Sequence, residues 1–87
     1  MSNSSLSLIY EYQAKILTVA TEMELKQMSI KPENRFSQAE QLALRSREMA
    51  IEIENLHRVQ HINYSLGLIY KQQGRYKDAS EAFLKHI

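Results

Sequence analysis

A single glycine, Gly74, divides residues 63–83 into two short apolar patterns, and this arrangement constrains the fold more than any other feature of the chain. Before the glycine, Leu66, Ile69 and Tyr70 follow the i, i+3, i+4 spacing of one helical stripe. Glycine readily adopts the left-handed conformation that ends many helices. The stretch therefore predicts two helices that meet at Gly74 and pack as an antiparallel pair.

The second of these helices carries a small residue, Ala79, between the aromatic residues Tyr76 and Phe83. The first contains Gly67 beside its apolar stripe. Because a glycine inside a helix costs roughly 1 kcal/mol relative to alanine, it needs a structural reason. We expect another backbone to approach the first helix too closely at Gly67 to leave room for a Cβ.

Seven positions of this stretch resemble the tetratricopeptide repeat signature, L-G-x-x-Y-x-x-x-G-x-Y-x-x-A-x-x-x-F. A generic amphipathic hairpin is the alternative, although it would seldom supply both glycines and all three aromatic residues. The resemblance implies a helical solenoid fold and a protein-binding role, whereas the spacing alone indicates only the hairpin. The matching residues are Leu66, Gly67, Tyr70, Gly74, Tyr76, Ala79 and Phe83.

The composition predicts one small all-α domain covering residues 1–87. One proline and two glycines accompany many strong helix formers, and no segment alternates like a strand. Eleven Lys and Arg balance ten Asp and Glu without long runs, which argues against nucleic acid or a membrane as partner. The chain has no cysteine, no signal-peptide pattern and no run of eighteen apolar residues. We therefore expect a cytoplasmic protein.

Periodicity and end signals predict four helices, at about residues 6–28, 37–54, 59–73 and 76–87. Pro32 indicates a loop before the second helix. Ser37 and Glu40 match a capping box, with Phe36 placed as a hydrophobic staple, so this helix should begin at Ser37. We expect the apolar face of the first helix to comprise Leu6, Ile9, Tyr10, Gln13, Leu17 and Ala20, widened by Ile16, Val19 and Met23.

Two apolar triplets recur at a constant offset of 40 residues, which predicts an internal repeat of about that length. The family it resembles has repeats of about 34 residues, so the extra length implies longer helices and a longer connection near residues 55–58. The proposed repeats cover about 6–55, with a degraded signature, and about 59–87. Phe36, Ala39 and Ala43 match Tyr76, Ala79 and Phe83, whereas Val19, Ala20 and Met23 would match Leu66, Gly67 and Tyr70.

No residue pattern favours an enzyme, a cofactor site or a metal site. His57 and His61 stand four residues apart, a spacing that on one continuous helix could serve a metal ion. We expect a helix break between Asn55 and Arg58 and find no third ligand nearby, so these histidines are interpreted as loop or interface residues. Glutamates two residues apart, as at positions 52 and 54, lie on different sides of a helix and cannot share a proton.

Binding is the remaining functional class. The resemblance implies a concave face formed by the first helix of each repeat. Relatives that grip a carboxylate have Lys and Asn where this chain has Tyr64 and Leu68, so an apolar peptide or helix is the expected ligand. The alternative is that Tyr64 and Leu68 pack on a neighbouring helix. The expected partner-binding residues are His61, Tyr64, Ser65, Leu68, Lys71 and Gln72.

The apolar C-terminal residues 83–87 lack the polar capping helix that ends most solenoids, and two repeats seldom stand alone. We therefore expect either self-association as a homodimer or further repeats in a longer protein. The leading hypothesis is a protein–protein interaction module that acts as a scaffold or regulator. The alternative is a peptide-sensing part of a signal-transduction or transcription-regulatory protein.

Overall fold

The computed structural model describes residues 3–86, including the side chains of residues 3–85, and the predicted all-α fold is confirmed there. The last position of the predicted fourth helix, Ile87, lies outside the described residues. No helix within them is long and apolar enough to cross a bilayer. The α-helices are α1 (Asn3–Val19), α2 (Glu22–Gln27), α3 (Arg35–Glu52), α4 (Leu56–Gln72) and α5 (Tyr76–His86), with a 3₁₀ turn at Pro32–Asn34.

The long helices form a row in which α1 packs on α3, α3 on α4, and α4 on α5. Adjacent helices run in opposite directions. Asn3 at the start of α1 donates to Glu52 at the end of α3, and Arg35 at the start of α3 donates to the Ala20 carbonyl. Because α1 and α4 are both antiparallel to α3, they run parallel to each other.

Small residues allow α1 and α3 to approach closely. The Ser7 hydroxyl donates to the Ser46 carbonyl at 2.9 Å, and the Ser46 hydroxyl donates to the Ser7 carbonyl at 2.7 Å. On α3 the buried positions are Ala39, Ala43, Ser46 and Ala50. The predicted α1 face is therefore wrong in part, because its buried residues are Ser7, Glu11, Ala14 and Leu17, while Gln13, Ile16 and Val19 are exposed.

The predicted helix 6–28 is wrong, because the chain breaks after α1 and restarts in α2. Thr21 caps α2 in a complete capping box with Glu24: the Thr21 hydroxyl accepts from the Glu24 amide, and the Glu24 carboxylate accepts from the Thr21 amide. The capping box predicted at Ser37 is also wrong. Helix α3 begins at Arg35, after Asn34, and Glu40 instead accepts hydrogen bonds from Gln73 and Arg75.

Three helices end with a residue in the left-handed conformation. The φ angles are 59° at Ser29, 56° at Glu54 and 76° at Gly74. At the end of α4, the Arg75 amide donates to the Tyr70 carbonyl at 2.9 Å and the Gly74 amide donates to Lys71 at 3.1 Å. This is the Schellman pattern, and it confirms the helix end predicted at Gly74. The other two ends have equivalent bonds without a glycine.

The extra length of the first hairpin lies between α1 and α3, in residues 20–34, where α2 and the 3₁₀ turn are inserted. The long connection predicted near residues 55–58 is wrong, since α3 and α4 are joined by residues 53–55 alone. The proposed match of Val19 to Leu66 is also wrong. Val19 is the last residue of α1 and is 79% exposed, whereas Leu66 is fully buried.

Gly67 does lie at a close approach, but its neighbour is a side chain rather than the expected backbone. A Cβ at this position would lie 2.3 Å from the Cε1 atom of Phe83 on α5. The Phe83 ring also contacts Tyr64, with ring centroids 5.6 Å apart. Leu66 and Ala79 are buried as expected, but Tyr76 is 68% exposed because it begins α5 at the surface. Tyr76 therefore lies outside the core.

Candidate partner-binding groove

An open groove of about 320 Å³ lies between the second half of α1 and the middle of α4. Since both helices pack on the same helix, α3, and contact each other little, their outward sides remain uncovered. Most of the surface that lines it is apolar. The lining residues are Lys15, Thr18, Val19, His61, Tyr64, Ser65, Leu68 and Ile69.

Two stripes of side chains with the 3.5-residue spacing of coiled coils border this groove. The α1 stripe consists of Leu8, Tyr12, Lys15 and Val19. The α4 stripe consists of His57, His61, Tyr64 and Leu68. Because α1 and α4 are parallel, the two stripes follow the groove together, and their spacing suits a third helix laid between them.

A buried carboxylate, that of Glu11, joins α1 to α4 at the N-terminal end of the groove. The Glu11 side chain is only 4% exposed. Its Oε1 atom lies 2.5 Å from His61 Nδ1 and 3.4 Å from Lys15 Nζ, and its Oε2 atom lies 3.3 Å from the Arg58 guanidinium. Both carboxylate oxygens are therefore occupied by basic groups, and burial of this charge is compensated.

A second concavity, lined by several of these basic groups, continues the groove toward the N-terminal ends of α1 and α4. It shares Lys15 and His61 with the apolar part. Neither α1 nor α4 has an acidic residue in its first turn. The positive end of the α4 dipole therefore faces this region, which α4 borders from its N-cap Asn55 onward, whereas α1 borders it only from Leu8, beyond its first turn. Its lining residues are Leu8, Glu11, Tyr12, Lys15, Asn55, His57, Arg58 and His61.

Of the six residues expected to bind a partner, four line the apolar part of the groove: His61, Tyr64, Ser65 and Leu68. Tyr64 and Leu68 are 43% and 39% exposed, whereas Ser65 is buried and donates to the His61 carbonyl. Lys71 and Gln72 are exposed beyond the groove lining, near the end of α4.

His57 and His61 lie on one continuous helix, so the helix break expected between Asn55 and Arg58 is wrong. Asn55 is instead the N-cap of α4, and its side-chain oxygen accepts from the Arg58 amide at 3.1 Å. His61 is paired with Glu11 rather than with His57. Within the described residues, no group of three or more His, Asp or Glu side chains could hold a metal ion.

Comparisons with protein-family models, curated proteins and solved structures find no match for this chain. The resemblance to the tetratricopeptide repeat therefore rests on the seven residues around Gly74 alone. The groove has to be interpreted from its own geometry and chemistry.

The sequence interpretation missed Glu11 and Arg58, as well as the contribution of α1 to the groove. A signal for Glu11 was present, since it lies four residues after Ser7 and three before Ala14, within a stripe of small residues. Its partners on α4, Arg58 and His61, are about fifty residues away in the chain, and no local pattern predicts such a pairing.

Apart from the groove, a cluster of polar and aromatic side chains lies on the other side of α4, around Tyr70. The Arg75 guanidinium stacks over the Tyr70 ring at 4.4 Å and donates to Glu40 at 2.7 Å. Burial, with a further contribution from the Glu40 carboxylate, raises the pKa of the Tyr70 phenol above its usual value near 10. Arg75 also donates to Asp78 in the first turn of α5, so this cluster fixes the angle between the last two helices.

Proposed function

We propose that this chain is a protein–protein interaction module whose contact surface is the groove between α1 and α4. The observation that carries the proposal is the pair of parallel stripes, one on each helix, that border an open apolar groove. Helix-in-groove recognition uses apolar anchors at this kind of spacing. The resemblance of residues 66–83 to a repeat of protein-binding proteins supports the same function.

Three exposed large apolar residues line this groove, one on α1 and two on α4. Val19, Tyr64 and Leu68 are 79%, 43% and 39% exposed, although each belongs to a well-formed helix. Burial of these side chains would favour association by about 25 cal/mol per Å² of apolar surface removed from water. Val19 and Leu68 lie outside the buried core, whereas Tyr64 also contacts the Phe83 ring on α5.

The direct test uses a helical peptide with leucines on one face and glutamines elsewhere, held helical by a hydrocarbon staple. Titration into ¹⁵N-labelled protein should shift the amide signals of Tyr64 and Leu68. Leu68→Glu should abolish binding, whereas Leu84→Glu on the exposed side of α5 serves as a matched control that retains it. The proposal is refuted if no peptide binds and the protein is also a monomer at every concentration.

Self-association belongs to the same proposal, with a second copy of the chain as partner. Two apolar side chains at the end of the row, Tyr76 and Leu84, are 68% and 69% exposed and offer a second surface for a dimer. Light scattering on a sizing column should give a mass near twice 10.2 kDa. Loss of the dimer in Leu84→Glu would locate the contact on α5, and loss in Leu68→Glu would locate it in the groove.

The peptide-sensing alternative is favoured by the openness of the groove in the single chain. It predicts a monomer whose groove binds the stapled peptide without a change in oligomeric state. A dimer that buries Tyr64 and Leu68 would contradict it, because the sensing surface would then be occupied.

A further inference from the structure

The charges at the N-terminal end of the groove indicate the chemistry of its partner. We infer that the groove takes an amphipathic helix of another protein, whose apolar face fills the groove and whose C-terminal end carries carboxylates. The inference rests on the proposed function and adds to it the charge and the direction of the bound helix.

Accessible charge is unbalanced at this end of the groove. Lys15 and Arg58 are cationic, and the only carboxylate among the residues that line this end is that of Glu11. Its oxygens are buried and already paired, whereas the Lys15 side chain is 42% exposed. Lys15 and Arg58 against Glu11 give the lining a formal charge of +1, whose most accessible part is the Lys15 ammonium, and a carboxylate on the partner would complement it.

The direction of the helices also matters at this end. Helices α1 and α4 run parallel, and the N-terminal turn of α4, which has no acidic residue, lines this end, so that its dipole adds to the positive potential. A partner helix that ran parallel to them would bring its own positive end there. An antiparallel helix instead brings its negative C-terminal end, and acidic residues in its last turn add to the attraction.

The length and spacing of the two stripes also match a short partner helix. From Leu8 to Val19 the α1 stripe extends over roughly 18 Å, given the rise of 1.5 Å per residue. A partner helix of roughly 14 residues would span it, with apolar anchors against Val19, Tyr64 and Leu68. The acidic end would then lie beside Lys15 and His57.

The experiment uses stapled peptides of about 14 residues that share one leucine face and differ only at two positions in the last turn. These positions hold Glu, Gln or Lys, and a fourth peptide has the two Glu in its first turn. Binding is measured by fluorescence anisotropy with an N-terminal dye, at about 50 mM and about 300 mM NaCl. The protein is the full chain.

At the lower salt concentration, the peptide with C-terminal Glu should bind about tenfold more tightly than the Lys peptide and more tightly than the peptide with N-terminal Glu. The difference should shrink at the higher concentration because salt screens the charges. His57→Glu should remove the advantage of Glu over Gln. Val19→Ser, the matched apolar variant, should weaken all peptides alike by about fivefold.

The outcomes separate this inference from the proposed function. Equal binding of the Glu, Gln and Lys peptides, still weakened by Val19→Ser, would overturn the acidic preference and leave the groove as a binding site. Equal binding of the two Glu peptides would overturn the direction. A dimer that occupies the groove and is displaced by none of the peptides would overturn the inference in favour of a second copy.

Discussion

Replacement of Gly67 by alanine should destabilise the native chain but stabilise a variant that lacks the ring of Phe83. In the native chain, the new Cβ would lie 2.3, 2.5 and 2.8 Å from three atoms of this ring. Ordinary contacts of a Cβ begin near 3.4 Å. The ring must therefore move by about 1 Å, and its contact with Tyr64 on α4 restricts that movement.

Two opposing contributions set the magnitude. Alanine is favoured over glycine inside a helix by about 1 kcal/mol. Overpacking costs typically about 1–3 kcal/mol when neighbours must leave their preferred positions. In the native chain the second contribution should win, so that Gly67→Ala lowers the free energy of unfolding by about 1 kcal/mol. With Phe83→Ala the steric cost disappears, and the same substitution should raise the free energy of unfolding by about 1 kcal/mol.

The assay is urea unfolding of the four proteins of this double-mutant cycle, followed by circular dichroism at the helix band. The expected coupling energy between positions 67 and 83 is about 2 kcal/mol. If Gly67→Ala stabilises the native chain as much as it stabilises the Phe83→Ala variant, the ring does not exclude a Cβ, and the packing argument for this glycine is refuted.

Three further predictions follow from other contacts. Glu11→Gln should lower the free energy of unfolding in urea by about 1–3 kcal/mol. This loss is smaller than for a fully buried ion pair because the partners of Glu11 are partly exposed. An unchanged urea midpoint would refute the prediction. Glu54→Gly should raise the thermal midpoint by relieving about 1 kcal/mol of left-handed strain, whereas Gly74→Ala should lower it. The Tyr70 phenol stabilises the fold below pH 10, and this contribution should disappear as the pH rises through its raised pKa; unfolding curves of Tyr70→Phe should lack that alkaline loss.

Local signals of the second hairpin were sufficient to predict its helices. Gly74 ends α4 in the left-handed conformation, and Leu66 and Ala79 are buried on the faces that their spacing indicated. The helices predicted at 59–73 and 76–87 differ from α4 and α5 by a few residues at the ends where they are described. Short-range periodicity and end signals decide such a hairpin because its two helices are neighbours in the chain.

The first hairpin was predicted less well because small residues determine its packing. The large apolar side chains of α1 predicted one buried face. Ser7 and Ala14 are buried instead, because small side chains let α1 approach α3 closely. The Thr21 and Glu24 pair fits the capping-box pattern, yet the apolar pattern around it was interpreted as one continuous helix. Periodicity alone does not identify a contact between small residues.

The groove could be predicted only in part for a related reason. Tyr64 and Leu68 stood out as apolar residues on the outer side of α4, but the opposite wall depends on which helix lies parallel to α4 across α3. Lys15 and Val19 on α1 form the opposite wall because residues 20–34 reverse the chain between α1 and α3. Pairings over such distances are set by the whole row of helices.

The flat arrangement of the helices explains why apolar side chains remain exposed. Its Cα atoms extend over 37 × 34 × 13 Å, which is a slab close to the thickness of one or two helices. Such a row cannot enclose its apolar residues on all sides, so each helix contributes to the core with one stripe and faces water with another. The core stripes, with Ser7, Ser46 and Leu66, fix the row; the outer stripes, with Val19 and Leu68, do not. We therefore predict that variants of Val19 and Leu68 abolish the proposed association while the fold persists.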